Sequence, residues 1–116
     1  MGQTLRVSYL NGSLDLVVRN LAQGELLEVA DEIPVRGLTV ERSSLSGEIV
    51  AFEALKFQEY YSQILADLSR YPLATRYDVP EWGLFEVPLE EVLKECYRRF
   101  VEQPVRESTE VAASSG

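Results

Sequence analysis

The sequence TLRVSYLNGSLDLVVR at residues 4–19 decides the fold of the N-terminal half. Apolar and polar residues alternate on both sides of Asn11-Gly12, which is the pattern of two half-buried β-strands. An Asn-Gly pair readily takes the two positive-φ conformations of a type I′ turn. The alternating apolar residues are Leu5, Val7, Tyr9, Leu14, Leu16 and Val18. The segment therefore predicts a β-hairpin.

Three shorter segments continue the strand pattern after this hairpin. They cover Leu26–Val29, Leu38–Glu41 and Glu48–Phe52, and they are rich in the β-branched and apolar residues that favour strands. Pro34 lacks a backbone donor, so it indicates a bend or an edge position between the first two. The N-terminal half is thus predicted to contain four or five antiparallel strands.

Two later segments change to the spacing of amphipathic helices. The first begins near Glu53 and is predicted to end near Tyr71-Pro72, because proline disfavours helical geometry in the residue before it. The second begins at Pro88, which presets the first helical turn, and ends before Pro104. The apolar stripes consist of Phe57, Tyr60, Tyr61, Ile64, Leu65 and Leu68, and of Leu89, Val92, Leu93, Cys96, Tyr97 and Phe100.

Strands followed by helices predict an α+β fold, with an antiparallel sheet of four to five strands and two amphipathic helices packed on one face. Residues 1–106 are predicted to form a single α+β domain, since 116 residues suffice for one core. Residues 107–116 have little to bury and are predicted to be a mobile C-terminal tail. Between the helices, residues 75–87 predict a loop with a brief strand at Leu84–Val87.

One stretch resembles a known family. Gly47–Glu53, preceded by a hairpin with Tyr9 and Asp15-Leu16, resembles a small uncharacterised bacterial domain family. In that family an N-terminal hairpin is followed by strands ending in a G-x-apolar-apolar-G-apolar-E pattern. The resemblance covers at most residues 4–55, Ala51 replaces the second glycine, and the hairpin loop is shorter here. It implies a β-rich N-terminal half and carries over no catalytic residue.

The charge balance narrows the classes of partner. Eleven Lys and Arg stand against nineteen Asp and Glu, for a formal net charge of −8. Because affinity for nucleic acid rests mainly on phosphate neutralisation, no nucleic-acid partner is expected. The simplest interpretation of this acidity is that it keeps the protein soluble. The alternative interpretation is that the protein is an acidic inhibitor or nucleic-acid mimic that occupies a basic groove.

The expected location is the cytoplasm, without membrane attachment. The chain has one cysteine, and its apolar runs are far shorter than the ~20 residues that span a bilayer. No basic start followed by a continuous apolar run indicates a signal peptide.

Residues for ordinary catalysis are scarce. There is no histidine, and Cys96 falls on an apolar stripe that predicts a buried, inert thiol. A serine–lysine pair would have to use Lys56 or Lys94, each on a helix side that is predicted to be solvated. Pairs of carboxylates that are close in sequence are Glu25 with Glu28, Asp31 with Glu32, and Glu90 with Glu91. These pairs leave a carboxylate-dependent enzyme as an alternative, and no cofactor or metal is predicted.

Four aromatic residues form the predicted binding site. Tyr71, Tyr77, Trp82 and Phe85 cluster with prolines and a glycine in the least regular part of the chain. Tyr and Trp dominate interface hot spots because they offer large contact areas. The leading hypothesis is a small non-catalytic protein-interaction module that contacts a protein partner through this loop, with homo-oligomerisation left open. The alternative is that the rings cap one end of the core.

Overall fold

A computed structural model describes residues 2–29 and 35–103. In chain order the elements are β1 (Gln3–Thr4), β2 (Arg6–Leu10), β3 (Ser13–Val17), β4 (Leu27–Val29), β5 (Thr39–Ser43), β6 (Ile49–Ala54), α1 (Phe57–Arg70), β7 (Tyr77–Val79), β8 (Leu84–Val87) and α2 (Leu89–Tyr97). The predicted α+β class is confirmed. The predicted tail, the bend at Pro34 and the Asp31-Glu32 pair lie outside the described residues.

The predicted hairpin is confirmed in detail. β2 and β3 pair antiparallel with Leu10 opposite Ser13, so Asn11 and Gly12 form the two-residue loop. Their φ values of 52° and 84° are both positive, as a type I′ turn requires. The hairpin begins a five-stranded antiparallel sheet in the order β2-β3-β6-β5-β4, which confirms the predicted number of strands.

A second sheet has three strands in the order β1-β7-β8. Of these, the sequence predicts only β8, whose bounds Leu84–Val87 are confirmed. β1 pairs in parallel with β7, and the Leu5 N–H donates to the Asp78 carbonyl oxygen at 2.9 Å. The predicted loop is therefore wrong at Tyr77–Val79, which form β7, and at Pro80–Trp82, which form a 3-10 turn. β7 has only three residues, and its polar Asp78 is buried together with Tyr77 and Val79, so this short run does not by itself indicate a strand.

Both predicted helices are present. α1 ends at Arg70, and the Tyr71 N–H donates to the Asp67 carbonyl oxygen at 2.9 Å. α2 is followed by a π-helical turn at Arg98–Glu102. The stripes are buried mainly at Phe57, Ile64, Leu68, Leu89, Val92, Leu93 and Cys96. These residues form one apolar cluster with side chains from both sheets.

Gly37 is the glycine whose replacement is expected to be most damaging. Its φ is +90°, and an added Cβ would lie 2.5 Å from the Tyr60 Cβ. Gly37→Ala is expected to lower the free energy of unfolding by about 2–4 kcal/mol, from backbone strain plus overpacking. Gly24→Ala is the control, because φ is +86° with nothing within 4 Å, and it should lose about 1 kcal/mol. The measurement is unfolding in urea. Equal losses of unfolding free energy in Gly37→Ala and Gly24→Ala would contradict the steric part of this prediction.

Candidate functional site

The structure distributes the four predicted site residues over different environments. Tyr71 at the end of α1 is 49% exposed, and Phe85 in β8 is 59% exposed. Trp82 is half-buried, whereas Tyr77 is 1% exposed and belongs to the core. The expectation that Tyr77 lies in an exposed loop is therefore wrong, because β7 is enclosed between β1 and β8.

Two of these four residues, Tyr77 and Trp82, make ring contacts within the protein. The Trp82 ring lies 5.9 Å from that of Phe100 and beneath the Arg99 guanidinium, whose Cζ is 4.8 Å from the ring centroid. The Tyr77 ring meets Phe52 edge-on at 6.0 Å. Within residues 2–29 and 35–103, Tyr71 and Phe85 take part in no ring contact. For Tyr77 and Trp82 the geometry supports the alternative of rings that pack on the core.

Three described carboxylates, Asp15, Glu41 and Glu53, lie near one another on the larger sheet. Asp15 lies opposite Glu53 across β3 and β6. Burial raises the pKa of nearby Glu41, and the charges of Glu53 and Asp15 raise it further. Within the described ranges, no three His, Cys, Asp or Glu side chains are placed to hold a metal ion.

The predicted burial of Cys96 is confirmed. Its side chain is fully buried, and this burial raises the pKa of the thiol to about 12. Since the thiolate is the reactive form, burial and the raised pKa both disfavour reaction at this thiol.

The exposed apolar residues concentrate at one edge of the larger sheet. Among the residues that the structure describes, nine large apolar side chains are exposed, and five of them lie on the segment 21–29 or on the turn that contacts it. This marks the edge rather than the aromatic loop. The five are Leu21, Leu26, Leu27, Val29 and Leu45. We call these five residues the leucine edge. Leu27 and Val29 share one face of β4, because side chains two positions apart in a strand point the same way. Grouped exposed apolar side chains are typical of interaction sites.

The backbone of β4 has a free side. The Ser44 N–H donates to the Leu26 carbonyl oxygen, and the Leu26 N–H donates to Ser44 Oγ, both at 2.9 Å. Because main-chain groups alternate in direction along an antiparallel strand, those of Leu27 and Val29 point away from β5. β4 is the last strand of its sheet, and no strand among the described residues pairs with that side. This free side offers hydrogen-bonding groups beside exposed apolar side chains.

A buried polar contact holds the leucine edge in place. Glu25, 8% exposed, accepts two hydrogen bonds from the Arg19 guanidinium at 2.8 and 2.7 Å. It also accepts from the Ala22 N–H at 2.6 Å and from Ser43 Oγ. Ser43 Oγ in turn accepts from the Leu45 N–H at 3.1 Å. Since all three β4 residues are exposed, this network and the β5 ladder, rather than apolar burial, fix the strand.

The network makes the leucine edge sensitive to acid. The hydrogen bonds from Arg19, followed by those from Ser43 and Ala22, hold the pKa of Glu25 well below its ordinary value of 4.5. A carboxylate with a depressed folded-state pKa contributes stability above its unfolded pKa and loses it as pH falls toward the folded value.

We therefore expect the thermal unfolding midpoint to fall from about pH 5 downward, and Glu25→Gln to flatten this dependence. The measurement is circular dichroism melting across a pH series. Glu48→Gln is the matched control, because Glu48 contacts the same arginine, Arg19, at 2.8 Å with a side chain that is 56% exposed. A profile that Glu25→Gln leaves unchanged would contradict the role of the network.

Comparison with known proteins finds no matching family model, no matching curated protein and no matching solved structure. The resemblance over residues 4–55 stays a prediction. No described helix has the length and apolarity needed to cross a membrane.

Proposed function

We propose that this protein is a small non-catalytic interaction module that binds an extended segment of another protein along the free side of β4. The observation that carries this proposal is that β4 combines exposed apolar side chains with main-chain groups that no strand among the described residues pairs. Strand addition uses these two features together, because main-chain hydrogen bonds supply affinity and side-chain contacts supply specificity.

The rigidity of the strand supports binding rather than simple exposure. A segment that becomes ordered only on binding binds more weakly, because ordering costs conformational entropy. The contacts of Glu25 with Arg19 and Ser43 order the approach to β4 in the free protein. The partner segment therefore meets a preformed edge.

Charge favours a different protein over a second copy of this chain. A two-fold antiparallel pairing centred on β4 would place Glu28 opposite the same residue of the other copy, and Leu27 opposite Val29. Like charges directly opposite each other destabilise such a pair, and two chains of −8 repel each other at long range. A partner strand with a basic residue opposite Glu28 removes this penalty.

The partner segment is accordingly expected to be extended, with Lys or Arg flanked by apolar residues. Apolar side chains would lie beside Leu27 and Val29, whose exposed fractions are 47% and 62%. The basic residue would pair with the exposed carboxylate of Glu28.

The experiment is selection of peptides from a phage-displayed library of random twelve-residue sequences on the immobilised protein. Peptides with an apolar–basic–apolar pattern are expected. Synthetic copies of these peptides should bind the Glu28→Lys variant more weakly than the wild type. A Glu59→Lys variant, which changes an exposed glutamate of α1, is the charge-matched control. Selected peptides that bind both variants equally would contradict the proposal, as would sedimentation of the free protein as a dimer that Glu28→Lys alters.

A further inference from the structure

A groove at the start of α1 combines positive charge with apolar walls. It has a volume of about 430 Å³, which falls in the range of small-molecule sites. Arg36 and Lys56 contribute the charge, and Leu38, Leu55 and Tyr60 contribute apolar surface. The two cations are twenty positions apart in the sequence, so the fold alone brings them to the same groove.

These two cations are unusual for this chain. Most Lys and Arg side chains in the described ranges have a hydrogen bond or an ion pair, and the exceptions are Arg36, Lys56 and Arg76. Two of these three exceptions line one groove, although the protein carries a net charge of −8. None of the residues described as lining the groove is a carboxylate. Two cations thus line a groove that has no carboxylate among its described lining residues, although Asp67 Oδ2 accepts from the Arg36 backbone N–H at 3.0 Å.

A neighbouring groove shows that this charge pattern is not general. It shares Leu55 and Lys56 and has a volume of about 500 Å³, but Glu59 also lines it. Its single cation is therefore balanced by a carboxylate. Only the groove with Arg36 has two cations without such a balance among its described lining residues.

We propose that the groove with Arg36 and Lys56 binds a small organic anion, a phosphate ester or a carboxylate that carries an apolar group. The anionic group would lie between the two cations, where a guanidinium and an ammonium both donate charge-assisted hydrogen bonds. The apolar group would contact Leu38, Leu55 and the Tyr60 ring. This site is separate from β4, and the proposal does not depend on the proposed function.

The test is a titration of the ¹⁵N-labelled protein with phenyl phosphate, in which binding is measured from the changes in amide chemical shifts. Phenol and inorganic phosphate are titrated separately, because they carry only the apolar or only the anionic part. The variants are Arg36→Gln and Lys56→Gln. Arg76→Gln is the matched control, because Arg76 is the third cation without a side-chain partner and does not line the groove.

Phenyl phosphate is expected to shift the amides of residues 35–39 and 55–60 and to bind more tightly than phenol or inorganic phosphate. Arg36→Gln and Lys56→Gln should each raise its Kd about tenfold, while Arg76→Gln leaves it unchanged. Raising the salt concentration should weaken binding in the wild type. Shifts spread over the surface, equal binding of phenol, or an equal effect of Arg76→Gln would each overturn the proposal.

Discussion

Replacing Tyr77 with alanine is expected to lower the free energy of unfolding by about 3–5 kcal/mol, the cost of removing a large ring from a packed core. Tyr77 is 1% exposed and is one of the largest fully buried side chains. Its ring packs edge-on against the ring of Phe52, with 6.0 Å between the ring centroids. This contact joins the small sheet to the large one. Chemical unfolding in urea measures the loss.

Two further variants separate burial of the ring from other effects. Tyr77→Phe keeps the ring and removes a hydroxyl that interacts with Thr75, so it should lose only about 1 kcal/mol. Tyr71→Ala removes a ring that is 49% exposed and should stay within about 0.5 kcal/mol of the wild type. A loss below 1 kcal/mol for Tyr77→Ala would show that this residue is not in the core.

Val29→Pro is expected to weaken binding of a selected peptide at least about tenfold, through loss of a donor at the free side of β4. The Val29 N–H points away from β5, so proline removes no bond of the existing ladder. The variant should therefore stay folded, with a change in unfolding free energy of about 1 kcal/mol or less. Calorimetric titration of wild type and variant with the same peptide measures the effect.

Phe85→Ala is the control for the aromatic site that the sequence predicts. Phe85 is 59% exposed in β8, on the other sheet, and its removal should leave the peptide affinity unchanged. Loss of binding in Phe85→Ala, with normal binding in Val29→Pro, would move the contact surface away from β4.

Local patterns in the sequence determine much of this fold. The hairpin follows from alternation around Asn11-Gly12, and α1 and α2 follow from stripes of regular spacing. Each of these signals lies within a few residues of the chain. Sequence reasoning is strongest there, because neighbouring residues alone decide the conformation.

Such reasoning predicts β8 of the small sheet but not the pairing of β1 with β7. β1 has two residues, and its parallel partner β7 lies more than seventy positions later. β7 is buried throughout, and Pro80 and Gly83 next to it are typical of loops. Tyr77 was therefore assigned to an exposed loop, although contacts distant in sequence place it in the core.

The candidate sites were missed for a similar reason. Arg19, Glu25 and Ser43 form their network only after the chain crosses from β3 to β4 and returns in β5. As a sequence feature, Glu25 resembles any exposed glutamate. The apolar run at Leu26-Leu27 was visible but was interpreted only as a strand, since no local pattern tells an edge strand from a covered one.

Amide hydrogen exchange of β4, with and without a selected peptide, tests the central claim most directly. If a partner segment adds to the sheet, the amides of Leu27 and Val29 should gain protection, and more than that of Glu28, which already faces β5. Unchanged exchange at Leu27 and Val29 in the saturated complex would contradict strand addition at β4.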